Sequence, residues 1–420
     1  MELRLKYGHG ERQLVLPDSA KVSILHPAHR MVLPDLKKAL RQTLDNSMNP
    51  EILAKCWKAN SVAIAVPDQT RSLPVNQVLP LLLGILLTKG PKIIPQNVTV
   101  IIGGGLHPPM SIEEIHSWIP PESFMGCKVI AHDARNSPMM RFGRTKRGTP
   151  VEINEVFGKA DLKIVLGQVD PHQFVGFTGG AKGVTVGCAS AAMIEHNHGL
   201  MFREGATVGR ISGNPVREDM NESGQCIGVD LAVNLLMDPN KDPVGLWAGT
   251  PDEVLEEASR SCAQVYGVAI EEPFDIVVAS CGGYPKDISL YQAQKGLNLA
   301  SQALKPGGKI LLLAQCGLGV GDEVYYDYVC RFPDAGAALS HFQDTGFKMG
   351  AHKSFLFGRT ITHFEVVVDS DLDSDTLARC HLVAGDAQQT INHWTTEFHG
   401  QPRVAVVPNA NTTFLYIKDV

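Results

Sequence analysis

The 420-residue sequence lacks the features that mark several classes of protein. Its longest apolar run, Val78 to Leu87, is interrupted by Pro80 and Gly84 and is about half of the roughly 20 residues that a membrane span needs. It also lacks a basic excess, because 38 Lys and Arg stand against 44 Asp and Glu for a net charge of -6. We therefore expect neither a membrane nor a nucleic acid as a partner.

Paired cysteines and a secretory signal are missing as well. Nine cysteines, an odd number, are scattered from Cys56 to Cys380 without a C-x-x-C pair, which argues against a disulfide framework and a zinc ribbon. The N-terminus from Met1 to His9 has no apolar core or small-residue cleavage site. We expect a cytoplasmic protein whose cysteines are mostly small buried side chains.

The hydrophobic pattern predicts an α/β fold with mainly parallel sheets. Short β-branched runs at 62–66, 98–102 and 162–166 have the character of buried strands, and they alternate with helical stretches such as 75–89. A second set follows, with a strand at 275–280, a helix at 289–304 and, after a Pro-Gly-Gly turn, a strand at 309–314. We expect two α/β domains, one over 1–268 joined by 400–420, and a smaller one over 269–399.

Polar residues follow the first two strands. Asp68, Thr70 and Arg71 place a carboxylate, a hydroxyl and a guanidinium on one loop, and Arg is suited to bidentate binding of a carboxylate or phosphate. The alternative is a helix cap by Asp68 or Thr70 beside a solvated Arg. On the next loop, three glycines precede His107 and a proline follows it, which suits an acid/base group; the alternative is a turn with an incidental histidine. We expect His132 and Asp133, after a later strand, to form a local hydrogen-bonded pair.

The segment 168–183 concentrates polar residues and glycines before Lys182. It is not a P-loop, because Ala181 and Gly183 stand where that motif needs Gly and Ser or Thr. Lys182 is a candidate for covalent chemistry, since a desolvated lysine is nucleophilic. The alternative is a phosphate-binding lysine on a nest of backbone N–H groups.

Two further groups are candidate site residues. His196 and His198 are two residues apart, so they cannot share a helix face and at most one of them enters a site. No conventional metal-ligand spacing accompanies them. On the helix at 289–304, Tyr291 and Lys295 share a face with Gln292 alongside and could hold a small anion. An ordinary solvated helix is the alternative.

Taken together, these segments resemble the lactate racemase family, enzymes that use a nickel-pincer nucleotide cofactor. The resemblance runs in order over nearly the whole chain and is carried by the following motifs: Asp68-x-Thr70-Arg71, Gly105-x-His107, His132-Asp133, His172-x-x-x-Gly176-Phe177-x-Gly179-Gly180-x-Lys182, Asn197-His198, Gly282-Gly283-Tyr284-Pro285 and Tyr291-Gln292-x-x-Lys295. The segment from His172 to Lys182, with His198 sixteen residues on, is the most specific of them.

The resemblance implies a pyridinium-3-thioamide-5-thiocarboxylic acid mononucleotide that holds nickel through two sulfurs and one carbon. Lys182 matches the covalent attachment site and His198 the protein ligand of the metal, an arrangement that suits square-planar nickel. The other positions implied for cofactor binding are Asp68, Thr70, Thr178, Gly179 and Gly180. Cofactor biosynthesis proteins are implied as partners.

The implied reaction is racemisation or epimerisation of a small 2-hydroxy acid by hydride transfer through a 2-keto acid. His107 and His172 match the two catalytic bases, one for each enantiomer. The residues that match those holding the substrate carboxylate are Arg71, Gln292 and Lys295, with Tyr291 beside them. Because they lie on different predicted domains, the active site is expected in the interdomain cleft.

The sequence departs from the family member that acts on lactate. Pro108 and Ala181 stand where that enzyme has arginines, and the stretch 344–357 has no Trp to enclose the substrate. His352 and Lys353 occur there instead, a basic pair that favours a larger or doubly charged hydroxy acid such as malate.

Two other functions compete with this interpretation. The segment 304–309 before an apolar strand resembles part of a class I S-adenosylmethionine-dependent methyltransferase, although the glycine-rich loop at 317–321 follows that strand instead of preceding it. A non-catalytic carrier of the nickel cofactor is the second alternative. A carrier needs no pair of opposed bases, so the presence of both His107 and His172 argues against it.

Overall fold

The computed structural model describes residues 1–27, 31–47 and 50–417. Its strands are β1 (Glu2–Tyr7), β2 (Gly10–Val15), β3 (Lys21–Ile24), β4 (Val62–Pro67), β5 (Val98–Gly103), β6 (Lys128–Ala131), β7 (Met139–Arg144), β8 (Pro150–Asn154), β9 (Leu162–Gln168), β10 (Pro171–His172), β11 (Gly176–Phe177), β12 (Leu231–Met237), β13 (Pro243–Gly249), β14 (Gly267–Ile270), β15 (Phe274–Ser280), β16 (Leu304–Leu313), β17 (Glu365–Asp369), β18 (Val383–Ala384), β19 (Arg403–Val407) and β20 (Phe414–Ile417).

Its α-helices are α1 (Leu36–Ser47), α2 (Pro50–Lys58), α3 (Val75–Lys89), α4 (Ile112–Trp118), α5 (Glu155–Lys159), α6 (Lys182–Thr185), α7 (Ala191–Gly199), α8 (Pro215–Ile227), α9 (Pro251–Tyr266), α10 (Leu290–Ala300), α11 (Glu323–Val329), α12 (Ala335–Thr345), α13 (His352–Ile361), α14 (Ser374–Arg379) and α15 (Ala387–Glu397). The described residues form two compact units. The N-terminal unit lies within His29–Val265, and the C-terminal unit within Met1–Ala28 and Tyr266–Val420.

The N-terminal unit is built on a six-stranded sheet in the order β13-β12-β9-β4-β5-β6. The strands run parallel except β13, which is antiparallel to β12. Continuous apolar runs form β4, β5 and β9 because both faces of a parallel sheet are covered. This confirms the predicted α/β fold with mainly parallel strands.

Helix α3 contains the apolar run at 78–87 and packs into the core of this unit. Its buried residues are Val75, Val78, Leu79, Leu82, Leu83 and Leu86. Within the described ranges, no helix combines the length and the apolar character that a bilayer crossing requires.

The C-terminal unit has its own six-stranded parallel sheet, in the order β18-β17-β16-β15-β19-β3. Strand β19 pairs with β15 on one side and with the edge strand β3 on the other, and its apolar residues 404–407 are fully buried. The expectation that 400–420 joins the N-terminal domain is therefore wrong, and residues 418–420 of that segment lie outside the described ranges. The predicted domain 1–268 also wrongly included β3, which pairs with β19 in the C-terminal unit. Sequence periodicity predicts such a strand but not its partner, since pairing is set by tertiary contacts.

The Pro-Gly-Gly segment at 306–308 is not the turn between helix and strand that the sequence predicted. Helix α10 ends at Ala300 instead of 304, and β16 already begins at Leu304. The pairing with β15 shifts register between Phe274 and Ile276, so the Pro-Gly-Gly segment is accommodated as a bulge within the strand.

Burial of α3 makes the N-terminal unit sensitive to truncation of its core. We expect Leu82→Ala to lower the free energy of unfolding of this unit by about 2–5 kcal/mol, because it leaves a cavity in a fully buried site. Urea unfolding followed by circular dichroism measures the change. The matched control is Ile94→Ala, at a side chain 52% exposed; equal losses in the two variants would contradict this packing.

Candidate active site

A cavity lies where β4, β5 and β9 of the N-terminal unit reach their carboxyl ends. About 610 Å³ of empty space, part of it open solvent, lies among its lining residues. Parallel strands bring the loops that follow them to one edge of the sheet, which is why residues far apart in sequence meet here. The predicted site residues that line it are Asp68, Arg71, His107, Thr178, Gly179, Gly180 and Lys182.

Asp68 and His107 are hydrogen-bonded to each other at this cavity. Asp68 Oδ2 lies 2.6 Å from His107 Nδ1, and its other oxygen accepts hydrogen bonds from the backbone N–H (3.2 Å) and hydroxyl of Thr70. Burial raises the pKa of Asp68, but these hydrogen bonds and the charge of Arg71 outweigh burial and hold the pKa below its ordinary value. The ionised carboxylate makes Nδ1 the protonated nitrogen and leaves the Nε2 lone pair of His107 to accept a proton.

Two observations bear on the alternatives that the sequence left open for these loops. Helix α3 begins at Val75 without any side-chain cap, so Asp68 and Thr70 do not cap it, although Arg71 is exposed as the alternative expected. His107 is held by a carboxylate beside the cavity, which is compatible with an acid/base group; that role stays a prediction.

A turn of glycines leads to Lys182. Gly179 has φ +93°, and a Cβ there would meet Val169 Cγ2 at 2.6 Å and Asn234 Oδ1 at 2.9 Å. The next residue, Gly180, donates its backbone N–H to Asn234 Oδ1 at 2.7 Å. Only glycine fits this conformation in this space. The hydrogen bond from Gly180 anchors the turn to the buried side-chain amide of Asn234 on β12.

Arg217 on α8 anchors the other side of the same turn. Its side chain is 0% exposed and its guanidinium donates to the carbonyls of Val175 (3.4 Å), Gly179 (3.4 Å) and Phe177. The sequence analysis missed both Arg217 and Asn234, which lie on elements remote in sequence from the turn and carry no motif of their own.

Lys182 is the first residue of the short helix α6 and faces the cavity. Burial, and then the positive charges of Arg71 and Arg217, lower its pKa to about 7, against the weaker opposing pull of Asp170 and Asp68. A substantial fraction of the amine is therefore uncharged at neutral pH, the form in which a lysine acts as a nucleophile.

His172 and His198 do not line the cavity but flank the ring of Phe174. The centroid of Phe174 lies 4.6 Å from that of His172 and 5.3 Å from that of His198, edge to face in both cases. Val175 donates its backbone N–H to His172 Nδ1 at 3.3 Å. Phe174 was not singled out in the sequence, because a phenylalanine in an apolar stretch is ordinarily core.

His198 is buried on α7, whereas His196 is exposed and bonds to the hydroxyl of Thr149 (2.8 Å). This confirms that the two imidazoles do not share a face. Burial, followed by the charge of Lys182, lowers the pKa of His198 to about 3, so the ring is neutral. Asn197 Oδ1 lies 3.3 Å from His198 Nδ1, and Asn197 is itself bonded to the buried carboxylate of Asp219 (2.8 Å). Across the described ranges, no group of three or more His, Cys, Asp or Glu is placed to hold a metal ion.

The expected pair of His132 and Asp133 is wrong. The His132 ring is buried and bonds to the Ala189 carbonyl (3.0 Å) and the Asn154 amide (3.2 Å). Asp133 instead accepts from the backbone N–H groups of the turn at 135–136. Adjacent residues at a strand end point to opposite sides, which separates the two side chains.

The predicted anion-binding residues of the C-terminal unit lie on α10, whose N-cap is Ser289. Tyr291 is partly buried, and burial together with the charge of Asp322 raises its pKa to about 12. Its ring contacts those of Tyr325 and His352 edge to face at 6.4 Å each. The solvated-helix alternative is therefore wrong for this residue, while Gln292 is exposed and Lys295 partly exposed.

Fold and site together define a two-unit α/β protein with a desolvated lysine at the carboxyl edge of a parallel sheet. Residues 7–209 match the profile of the lactate racemase N-terminal domain, and residues 270–414 match that of the lactate racemase C-terminal domain. The chain belongs to the lactate racemase family, as its motifs indicated.

Two lactate racemases are similar to the chain in sequence. The one from Thermoanaerobacterium thermosaccharolyticum is 28% identical over 350 residues, 82% of this chain and 81% of that protein. The one from Lactiplantibacillus plantarum is 26% identical over 358 residues, 82% of each chain.

Two solved structures share the fold. The lactate racemase apoprotein from Thermoanaerobacterium thermosaccharolyticum superposes with a TM-score of 0.90 at 24% identity, covering 99% of this chain and 100% of that one. A protein from Thermotoga maritima superposes with a TM-score of 0.62 at 16% identity, covering 93% and 100%.

The lowered pKa of Lys182 predicts selective acylation at neutral pH. With a pKa of about 7, the amine should react half-maximally near pH 7, where an ordinary lysine of pKa about 10.4 is almost wholly protonated. Peptide mass spectrometry after brief treatment with an acylating reagent across pH 6–10 measures this. Exposed Lys128 of the same unit is the reference; parallel pH profiles for both lysines would contradict the desolvated site.

Proposed function

We propose that this protein is an isomerase that racemises or epimerises a 2-hydroxy acid with a nickel-pincer nucleotide attached at Lys182. The observation that carries the proposal is the meeting, at one cavity, of Lys182 with its lowered pKa and His107 held by Asp68. The proposed racemisation needs two groups from the protein. One is a nucleophile to which the cofactor is attached, and the other is a positioned proton acceptor. The two similar proteins named lactate racemase support it.

The cavity residues fit a covalently attached nucleotide. Gln168 lines the cavity with a buried Oε1 that has no hydrogen-bond partner among the described residues, and the glycine turn presents backbone where a Cβ would clash. The neutral ring of His198 is in the state that binds a metal, since a protonated imidazole cannot. When bound, the cofactor supplies nickel held by sulfur and carbon donors and a pyridinium ring that accepts and returns a hydride.

The protein's own part of the reaction is proton transfer and binding. His107 would remove the hydroxyl proton of one enantiomer through Nε2, its Nδ1 being fixed by Asp68. His172, whose Nδ1 accepts the Val175 N–H and whose Nε2 therefore carries the ring proton, is assigned to the proton transfer on the opposite face. Inversion by way of a planar 2-keto acid would leave on His107 the proton that it removed and take one from His172, and the reverse reaction would restore both. For the substrate carboxylate we assign Arg71, which lines the cavity. Tyr291, Gln292 and Lys295 stay the predicted anion-binding residues of the C-terminal unit.

The experiment that tests the proposal is mass spectrometry with nickel analysis on protein co-produced with the cofactor biosynthesis proteins. We expect an adduct on the Lys182 peptide, near-stoichiometric nickel, and interconversion of the enantiomers of a 2-hydroxy acid followed by chiral chromatography. His198→Ala should keep the adduct and lose nickel. A well-folded wild-type protein without an adduct would refute the attachment, and an adduct without turnover of any 2-hydroxy acid would favour the carrier alternative.

The His107–Asp68 contact predicts the effect of two substitutions. His107→Ala should lower kcat about 10²–10⁴-fold, the usual contribution of an acid/base group, and Asp68→Asn should also lower it because the amide no longer fixes the protonated Nδ1. Adduct and nickel content should be unchanged in both variants, and His116→Ala on α4 is the matched control. Loss of cofactor from Asp68→Asn would instead assign Asp68 to cofactor binding.

A further inference from the structure

A buried hydrogen-bond network adjoins His198 within the N-terminal unit. Asn197 on α7 is 2% exposed and Asp219 on α8 is 0% exposed. The amide nitrogen of Asn197 donates to Asp219 Oδ2 at 2.8 Å and to the backbone carbonyl of Val216 at 3.1 Å. Its Oδ1 lies 3.3 Å from His198 Nδ1. One amide side chain therefore joins a buried carboxylate to the imidazole.

Asp219 is surrounded by hydrogen-bond donors. The hydroxyl of Thr145 donates to its Oδ1, and the hydroxyl of Thr149 donates to its Oδ2 at 2.7 Å. The Thr145 oxygen also accepts from the Thr149 backbone N–H at 3.1 Å, which leaves the Thr145 hydroxyl proton for Asp219. Together with the amide of Asn197, these donors occupy both carboxylate oxygens, so Asp219 acts as an acceptor only.

The orientation of the Asn197 amide follows from its neighbours. A carboxylate and a backbone carbonyl both accept hydrogen bonds, so the NH₂ group of the amide faces Asp219 and Val216, and its oxygen faces His198. Because that oxygen can only accept, His198 Nδ1 carries the ring proton and donates it to Asn197. In a neutral imidazole the other nitrogen, Nε2, then holds the lone pair.

We propose that Asn197 and Asp219 are positioning residues that fix His198 with its proton on Nδ1 and leave Nε2 to bind nickel. This rests on the proposed function, which assigns the protein ligand of the metal to His198. A metal binds the ring nitrogen that holds the lone pair, and a hydrogen bond to the other nitrogen fixes both the tautomer and the orientation of the ring. The opposite tautomer would place a proton on the nitrogen that the metal needs.

The first test reads the tautomer of His198 in the apoprotein by NMR, from long-range proton–nitrogen correlations of isotope-labelled histidine. His198→Gln identifies the signals of this ring by their loss. We expect a proton on Nδ1 and a lone pair on Nε2 in the wild type. Asn197→Leu, which removes the amide at similar size, should let the second tautomer appear. The matched control is Ser223→Ala, at a fully buried hydroxyl on α8 that bonds to the Asp219 backbone carbonyl at 2.9 Å; it should leave the tautomer unchanged.

The second test measures nickel retention in protein co-produced with the cofactor biosynthesis proteins. Nickel is counted per adduct on Lys182 while a chelator is titrated. In Asn197→Leu the chelator concentration that removes half of the nickel should fall about 10- to 100-fold, the usual effect of removing a partner of a metal-binding imidazole. The adduct itself should be retained. Asp219→Asn should lower retention less, because the Val216 carbonyl still orients the amide.

The two tests separate this inference from the proposed function. A proton on Nε2 of His198 in the folded wild type overturns the inference, and so does unchanged nickel retention in folded Asn197→Leu. Equal loss of adduct and nickel shows a structural role and also overturns it. If the Leu variant misfolds, Asp219→Asn takes its place in both measurements. Absence of an adduct in the wild type refutes the proposed function, whereas the tautomer, read without cofactor, still decides this inference.

Discussion

The site depends on one constraint: the backbone of the turn at 175–182 is buried inside the N-terminal unit. A turn that enters a packed interior buries its own backbone polar groups, and each of them needs a partner. Arg217 satisfies carbonyls on one side and Asn234 satisfies the Gly180 N–H on the other. Gly179 is required because a Cβ would overlap Val169 and Asn234. These contacts position the turn that carries Lys182 to the cavity.

Burial has opposite consequences for the ionisable groups around this turn, depending on their partners. Lys182 and His198 are desolvated beside positive charge, which lowers the pKa of each and favours the neutral form. Asp68 is buried as well, but hydrogen bonds from His107 and Thr70 stabilise its charged form. The sheet edge therefore holds a partly uncharged amine and an ionised carboxylate, while the imidazole buried on α7 is neutral. Groups with such shifted pKa values are typical of functional sites.

Burial lowers the pKa of a lysine in the C-terminal unit as well. The sheet of this unit, in which β19 lies between β15 and β3, supports α10 and α13. Lys353 on α13 is desolvated near Lys295, as Lys182 is near two arginines. An amide atom beside each lysine lacks a hydrogen-bond partner among the described residues: Gln168 Oε1 at the cavity of Lys182, and Gln294 Nε2 beside Lys353.

Much of the fold followed from the sequence alone. Apolar runs ending at glycine or proline predicted β4, β5 and β9. The polar residues just after these strands line one cavity, because parallel strands bring the loops that follow them to one edge of the sheet. The tertiary structure alone decided that Asp68 binds His107, that Arg217 and Asn234 hold the glycine turn, and that β19 pairs with β15. Local periodicity reports the environment of a segment. It does not report which distant segment completes a hydrogen bond or an ion pair, since those partners are set by packing.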